Sequence, residues 1–102
     1  MTQTSDLTGS QRKKLRGLAH SLDPVVWVGQ RGLTEAVVEE IDLALDSHEL
    51  IKVKLEGDRD ERREQAEEIA ERLQAALAGT IGTVAILYRR HRDPEARKIR
   101  LD

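Results

Sequence analysis

A four-residue segment, Gly29-Gln30-Arg31-Gly32, has the composition of a phosphate-binding loop. Glycine lacks a Cβ atom, so two glycines allow tight backbone turns and the close approach of another molecule. The segment lies between a predicted strand and a predicted helix, where free backbone N–H groups and the helix dipole favour an anion. Arg31 adds a guanidinium fork that suits phosphate oxygens. The pattern predicts phosphate binding, although a plain strand-to-helix turn also uses two glycines.

Basic side chains elsewhere recur at spacings that place them together. In the first predicted helix they lie about one turn apart beside the apolar stripe, so they share a face. In the second predicted strand, lysines alternate with apolar residues and therefore lie on one side of the sheet. Two more arginines follow the last long apolar run. These patterns select Arg12, Lys13, Arg16, Lys52, Lys54, Arg89 and Arg90 as a basic surface, with ordinary solvated faces as the alternative.

Residues that could support catalysis or bind a metal form no such pattern. The three histidines, His20, His48 and His91, are never three or four residues apart, and the chain has no cysteine. A zinc site is therefore not expected. Acidic pairs such as Glu39-Glu40 are typical of solvated helix faces and accompany no nucleophile or phosphate loop. The sequence predicts no enzyme activity, no metal, no cofactor and no small-molecule substrate.

The single tryptophan and the single tyrosine are the aromatic residues that could stack on a nucleotide base. Trp27 lies within the apolar run Val25–Val28 of a chain that has no phenylalanine, which favours a packed position in the core. Tyr88 is also placed in an apolar run, but the neighbouring Arg89 and Arg90 would allow its hydroxyl to reach a basic surface.

Hydrophobic periodicity predicts the elements that position these residues. Thr8 and Gln11 have the spacing of a capping box at the start of the first helix, and Gly79 is the predicted residue that ends the third helix. Strict alternation between Leu50 and Glu56 makes the second strand the clearest one. The predicted helices are 9–22, 35–47 and 60–78, and the predicted strands are 25–28, 50–56, 81–89 and 98–101.

The resulting order, α-β-α-β-α-β-β, is that of a single α/β domain with a four-stranded mixed sheet packed by helices. We expect strands one to three to run largely parallel and the fourth to turn back on the third. Residues 1–7 are predicted to be a flexible amino terminus, and residues 8–102 to form the domain. With 102 residues, the chain suits one hydrophobic core.

Charge is distributed unevenly along the chain, although the net charge is only −2. Residues 1–34 carry five basic and two acidic residues, and residues 88–102 carry six and three. Residues 35–87 carry fourteen acidic and six basic residues. If the two ends meet in the fold, the protein has a basic face and an acidic back.

No apolar run is long enough to span a bilayer, and the first ten residues, MTQTSDLTGS, lack the apolar centre of a secretory signal. The absence of cysteine excludes disulfides. A cytoplasmic location without membrane contact is therefore expected by default.

Three blocks of the sequence resemble the YhbY-like CRM domain family in the correct order. They are LRGLAHSLDPVVWVGQRGLTEAVVEEI, HELIKVKL and IGTVAILYRR, and the similarity covers about residues 8–90. The resemblance implies a fold similar to the carboxy-terminal domain of a bacterial translation initiation factor. It also implies RNA binding, since the bacterial stand-alone members are associated with precursors of the large ribosomal subunit.

Carried over to this sequence, the resemblance makes Gly29, Gln30, Arg31 and Gly32 the RNA-contacting GxxG loop. The basic residues of the first helix, together with Lys52 and Lys54, match the family's positive surface. We therefore expect a ribosome assembly factor that binds rRNA in large-subunit precursors. The alternative is a protein-interaction module that meets a ribosomal or other partner through its acidic helices.

Overall fold

The computed structural model describes residues 7–101, which form three α-helices, four strands and one short 3₁₀ helix. The helices are α1 (Gly9–Ala19), α2 (Glu35–His48) and α3 (Arg59–Leu73), and the 3₁₀ helix is Pro94–Ala96. The strands are β1 (Pro24–Trp27), β2 (Leu50–Lys54), β3 (Ala76–Ile81) and β4 (Val84–Tyr88).

The four strands form one mixed sheet in the order β1-β2-β4-β3. β1 runs parallel to β2, and β4 runs antiparallel to both β2 and β3. The first three strands therefore point the same way and β4 turns back on β3, which confirms a four-stranded mixed sheet of the α/β class. The predicted directions are wrong, because the strand predicted at 81–89 corresponds to β4, which runs antiparallel to β2 rather than parallel to it. The segments that follow β1, β2 and β3 therefore all emerge at the same end of the sheet, where the GxxG loop lies.

Each face of the sheet has its own core cluster. On one face, α2 and α3 contribute Ile41, Leu45, Ala66 and Ile69 to a cluster that includes the inward residues of all four strands. On the other face, α1 contributes Leu15 and Ala19 to a smaller cluster beside the carboxy-terminal segment. Two helices thus cover the sheet on the α2–α3 side, whereas a single helix and an irregular segment cover the α1 side.

The first helix begins as predicted. The hydroxyl oxygen of Thr8 accepts a hydrogen bond from the Gln11 N–H, and the Gln11 side chain accepts one from the Thr8 N–H, both at 3.0 Å. This capping box satisfies two of the backbone donors that a helix start leaves free. Of the segment predicted to be flexible, Leu7 packs against the second core cluster, and residues 1–6 lie outside the described part.

The predicted third helix is too long, because α3 ends at Leu73 and the chain reverses at Gln74 with a left-handed φ of 52°. Residues 76–81 form β3 instead, although the prediction placed residues 76–78 in that helix. Alanine and leucine favour helices, but pairing with β4 buries Ala76 and Ala78 and satisfies the backbone. Tertiary pairing therefore overrides the weak intrinsic preference.

Two predictions near the end of the chain are also wrong. The strand predicted at 81–89 is split by the turn residues Gly82 and Thr83, where Gly82 has a φ of +57° that favours glycine. The segment 98–101 is not a strand. Its backbone N–H groups at Lys98 and Ile99 donate to the Glu49 carboxylate rather than to a neighbouring strand.

Candidate functional site

The GxxG loop is a preformed turn at the end of β1. The Gly32 N–H donates to the carbonyl oxygen of Gly29 at 3.0 Å, which closes a four-residue turn with Gln30 and Arg31 at its exposed centre. Gly32 has a φ of +74°, a value that side chains with a Cβ rarely adopt. A Cβ built at Gly29 would meet no atom within 4 Å, so the loop is open on that side.

The loop is anchored to its neighbours on both sides. Before it, the Val28 N–H donates to the carbonyl of Lys54 at 2.8 Å and extends the β1–β2 pairing to the loop. After it, Thr34 caps α2 by accepting from the Val37 N–H at 3.2 Å. The acidic residue of the first helical turn, Glu35, pairs with Arg72 at 3.1 Å. The turn is thus held between a strand pair and a capped helix.

The two lysines of β2 lie on the α1 side of the sheet, while Ile51, Val53 and Leu55 enter the opposite core. Lys54 pairs with Trp27 across the parallel strands, which places it at the same end of the sheet as the loop. Its ammonium group lies 3.4 Å from the Thr83 hydroxyl, whereas that of Lys52 donates to the Leu22 carbonyl at 2.8 Å. The structure therefore brings Lys54 beside the loop and places Lys52 two residues earlier in the strand, farther from the loop.

Trp27 is not in the core, contrary to the prediction. Its side chain is 72% exposed, because Val26 and Val28 occupy the inward positions of the strand and Trp27 must face the other side. The alternation of β1 was the signal that could have shown this. Tyr88, in contrast, is 2% exposed and belongs to the core cluster under α1.

The basic residues of α1 lie toward β3. The Arg16 guanidinium donates to the carbonyl of Ala78 at 3.1 Å, and Arg12 donates to the carbonyl of Leu7 at 2.8 Å. A Cβ at Gly79 would lie 2.8 Å from the Arg16 Cδ, so Gly79 permits this close approach rather than ending a helix. Lys13 is exposed on the same helix.

A cleft of about 560 Å³ opens between α1, the β3–β4 turn and the first turns of α3. We call it the arginine cleft, because its charged walls are Arg12, Arg16, Arg59, Arg62 and Arg63, with Glu67 as the one acidic lining residue in the described part of the chain. Sequence reasoning assigned α3 to the acidic back and missed three of these arginines. Their spacing of three and four residues, which places them on one helix face, was the available signal.

Backbone carbonyls orient three of the arginines, Arg12, Arg16 and Arg62, and the capped helix α3 presents the other two. Arg62 donates to the Gly57 carbonyl at 2.6 Å, and the Arg63 Nε atom lies 3.8 Å from a Glu67 carboxylate oxygen. Asp58 is the N-cap of α3, and the hydrogen bond from the Glu61 backbone N–H lowers the pKa of Asp58. The helix start that carries the arginines is therefore well defined.

Arg89 and Arg90 lie away from the loop. β4 pairs with β2 from Val84 opposite Lys54 to Tyr88 opposite Leu50, so both arginines follow the far end of the strand, roughly 13 Å from the loop end at ~3.3 Å per residue. The Arg89 guanidinium contacts Asp42 at 2.8 Å and Asp46 at 3.0 Å, and its side chain is 18% exposed. The structure does not bring these two residues into one surface with the loop.

Buried Glu49 is the other polar feature of that far end, and sequence reasoning also missed it. Glu49 is 1% exposed, and its carboxylate accepts hydrogen bonds from the backbone N–H groups of His91, Lys98 and Ile99 at 2.6–3.1 Å. Nearby, burial and the Glu49 charge raise the pKa of Tyr88 above its ordinary value of 10.0. Glu49 thus holds the carboxy-terminal segment against the sheet.

Within residues 7–101, no group of three or more histidine, aspartate or glutamate side chains is placed to hold a metal ion. No helix in the same range is long and apolar enough to cross a membrane.

Fold and site together define a small α/β domain with a preformed GxxG turn, an exposed tryptophan and an arginine-lined cleft. A family model for the CRS1 / YhbY (CRM) domain matches residues 7–89, and the chain belongs to this family. The resemblance noted in the sequence is confirmed.

Several similar proteins are named for RNA binding. A Pseudomonas aeruginosa protein named "Probable RNA-binding protein" is 42% identical over 89 residues, which cover 86% of each chain. A Haemophilus influenzae protein named "RNA-binding protein" is 48% identical over 84 residues, covering 81% of this chain and 85% of that one. The solution structure of a Staphylococcus aureus protein, described as a candidate RNA binding protein, has a TM-score of 0.80 and 34% identity, covering 92% of this chain and 99% of that one.

Proposed function

We propose that this protein binds RNA through the GxxG loop, Lys54 and the arginine cleft, and that it acts by binding rather than by catalysis. The observation that carries the proposal is the cleft: five arginines and one glutamate line a single concave surface. Guanidinium groups of this kind attract phosphate groups, and a concave surface concentrates their field. The names of the similar proteins support RNA as the nucleic acid.

The two parts of the proposed surface lie at the same end of the sheet. The loop follows β1, the start of α3 follows β2, and the hairpin turn that borders the cleft follows β3. α3 also approaches the loop directly, because the Gln65 amide nitrogen lies 3.9 Å from the Cβ position of Gly32. One RNA segment that crosses this end of the sheet can therefore reach both the loop and the cleft.

In this mechanism, arginines and lysines neutralise phosphates and release counterions, so affinity falls steeply with salt. The backbone N–H groups of the rigid turn fix the position of one phosphate. Discrimination comes from RNA shape and from any unpaired bases within reach. Lys13 and Lys52 extend the positive surface, whereas the contacts of Arg89 with Asp42 and Asp46 favour a structural role.

The proposed RNA is rRNA in precursors of the large ribosomal subunit, in the cytoplasm. The family resemblance supports this choice, since its stand-alone bacterial members are associated with such precursors. The competing proposal is a protein-interaction module that uses the acidic outer faces of α2 and α3, where Glu39, Glu40 and Glu71 are exposed.

The first experiment compares wild type, Arg31→Glu and Arg92→Glu in a sucrose gradient of cell extract at low magnesium. Arg92 is an exposed arginine beyond the far end of β4, so its reversal changes net charge equally without touching the loop. We expect wild type and Arg92→Glu to sediment with large-subunit particles, and Arg31→Glu to remain with free protein. With purified rRNA, Arg31→Glu should bind about tenfold more weakly.

The competing proposal predicts the reverse pattern. If Lys52→Glu and Lys54→Glu leave sedimentation intact and Glu71→Lys abolishes it, the acidic face is the contact and the RNA surface is wrong. If wild type never enters the large-subunit fractions but binds RNA in isolation, RNA binding remains and the ribosomal target is wrong.

A further inference from the structure

Trp27 is the most exposed of the large apolar side chains in the described chain. Its exposure of 72% exceeds that of Leu43 and Ile81, which are each 60% exposed. An indole in water leaves a large apolar area unburied, which is unfavourable in the free protein. Such an exposed aromatic residue beside a charged loop is a typical feature of a binding surface.

The fold fixes Trp27 in this exposed position. Val26 and Val28 are 2% and 1% exposed on the α2–α3 side, so β1 must present Val25 and Trp27 on the opposite side. α1 and the carboxy-terminal segment cover Leu50, Ile86 and Tyr88 on that side, which leaves the β1 edge of the sheet uncovered. Trp27 therefore belongs to a rigid strand, and its indole is available without rearrangement.

The residues around Trp27 favour an anionic ligand. Lys54 is its partner in the β1–β2 register, and its ammonium group has only a 3.4 Å contact with the Thr83 hydroxyl. Gly29, the first residue of the turn, is two residues further along the chain, at most ~7 Å away. An aromatic face, a cation and the first residue of the turn thus lie within the span of about one nucleotide.

We propose that Trp27 is a stacking platform for an unpaired nucleotide of the bound RNA, with its phosphate held by Lys54 and the GxxG loop. This inference rests on the proposed RNA-binding function and adds a preference for unpaired over duplex RNA. Bases in a duplex are already stacked on their neighbours, so a single exposed indole gains a partner only where a base is free. A second protein chain is disfavoured, because the outward positions of β1 and β2 next to Trp27 include two lysines.

The experiment uses the full chain, a ribo-oligonucleotide of about ten nucleotides without internal pairing, and the same strand annealed to its complement. Trp27 is the only tryptophan, so its intrinsic fluorescence reports on this site alone. We expect the unpaired strand to quench this fluorescence strongly and the duplex to quench it little. Trp27→Leu should bind the unpaired strand about tenfold more weakly, which corresponds to ~1.4 kcal/mol, and the duplex equally well.

Two further variants separate stacking from general apolar contact. Trp27→Phe should restore much of the affinity for the unpaired strand, because it keeps an aromatic face. Leu43→Ala removes a similarly exposed apolar side chain from α2 and should change neither affinity. Thermal unfolding of all variants should match wild type, since the exposed indole contributes little to the core.

The outcomes distinguish this inference from the function on which it rests. If wild type binds RNA but Trp27→Leu binds the unpaired strand equally well, Trp27 is not a stacking platform, and the proposed RNA binding stands. An equal loss for unpaired and duplex RNA also overturns the platform. If wild type binds neither form, both proposals fail. If Trp27→Leu instead converts a dimer to a monomer without affecting RNA affinity, a second copy covers this face and the platform is overturned.

Discussion

Arginines at the two ends of the sheet have opposite surroundings. At the far end, the Arg89 guanidinium lies between the carboxylates of Asp42 and Asp46 and also donates to the carbonyls of Leu73 and Asp42 at 3.0 Å. In the arginine cleft, Arg12, Arg16 and Arg62 donate to backbone carbonyls. Arg89 is neutralised by its partners, whereas carbonyls orient these three cleft arginines and leave their charge in place.

The comparison shows that the partner, rather than the residue type, decides what an arginine does. A carbonyl uses one of the five guanidinium donors and cancels no charge, so the remaining donors can bind phosphate. Two carboxylates cancel the charge and use the donors that a ligand would need. We therefore propose that the far end of the sheet stabilises the fold and that the loop end binds RNA.

The largest expected effect is on stability, at Glu49. Glu49→Ala leaves three partly buried backbone N–H groups without their acceptor and should lower the free energy of unfolding by about 3 kcal/mol. Chemical denaturation measures this change, and the exposed Glu56→Ala serves as the control with little expected effect. An equally small effect at both positions would contradict the stabilising role of Glu49 at the far end of the sheet.

Arg89→Ala tests the other half of the stability assignment. Loss of two charge-assisted contacts to aspartates should cost about 2 kcal/mol of unfolding free energy, while Arg90→Ala on the exposed neighbour should cost almost none. RNA affinity of the folded Arg89→Ala protein should equal that of wild type. If Arg89→Ala instead lost RNA affinity while keeping wild-type stability, Arg89 would belong to the binding surface, and the two ends of the sheet would not differ in role.

The arginine cleft should show the opposite behaviour. The double variant Arg59→Gln, Arg63→Gln changes two exposed residues, so unfolding should shift by less than about 0.5 kcal/mol. Its RNA affinity should fall about tenfold, and the dependence of log affinity on log salt should become shallower by roughly 0.7 for each lost phosphate contact. Glu67→Gln, which removes the acidic residue of the cleft, should increase affinity about twofold. Unchanged affinity in the double variant would exclude the cleft.

The smallest effect concerns Tyr88 and pH. Burial and the Glu49 charge raise the pKa of Tyr88 above 10.0, so the folded protein keeps this proton where the unfolded chain loses it. The contribution to stability is complete below about pH 10 and is lost as the pH rises through the folded-state pKa. Tyr88→Phe should show less alkaline destabilisation than wild type. Tyrosinate absorbance of this single tyrosine gives the pKa directly, and a value at or below 10.0 would contradict the assignment.

Local patterns predicted the elements whose signals lie within a few residues. The capping box at Thr8, the alternation of β2 and the glycine pair of the loop correspond to observed features. Predictions failed between Gln74 and Thr83, where alanines and leucine suit either a helix or a strand and only pairing with β4 decides. They failed again at 98–101, because the apolar side chains Ile99 and Leu101 pack on the α1-side cluster without a strand partner.

Only part of the proposed surface could be selected from the sequence, for the same reason. The loop, Arg31 and Lys54 could be selected from residue types and spacing, since glycines and alternating lysines are visible in the sequence. Arg59, Arg62 and Arg63 were hidden among the acids of α3, and their approach to Arg12 and Arg16 depends on how α1 and α3 meet around β3. Exposure of Trp27 depends on how much of the sheet α1 covers.

The sequence by itself determined the α/β class, the order of the elements from α1 to the start of α3, the family and the turn that carries the GxxG loop, because periodicity, capping and turn chemistry act over short distances. Only the tertiary structure decided which cations share a surface, which arginine is neutralised and which aromatic residue faces solvent. These properties depend on contacts between residues that are distant in the chain, such as Arg16 with Ala78 and Arg89 with Asp42. No local pattern carries that information.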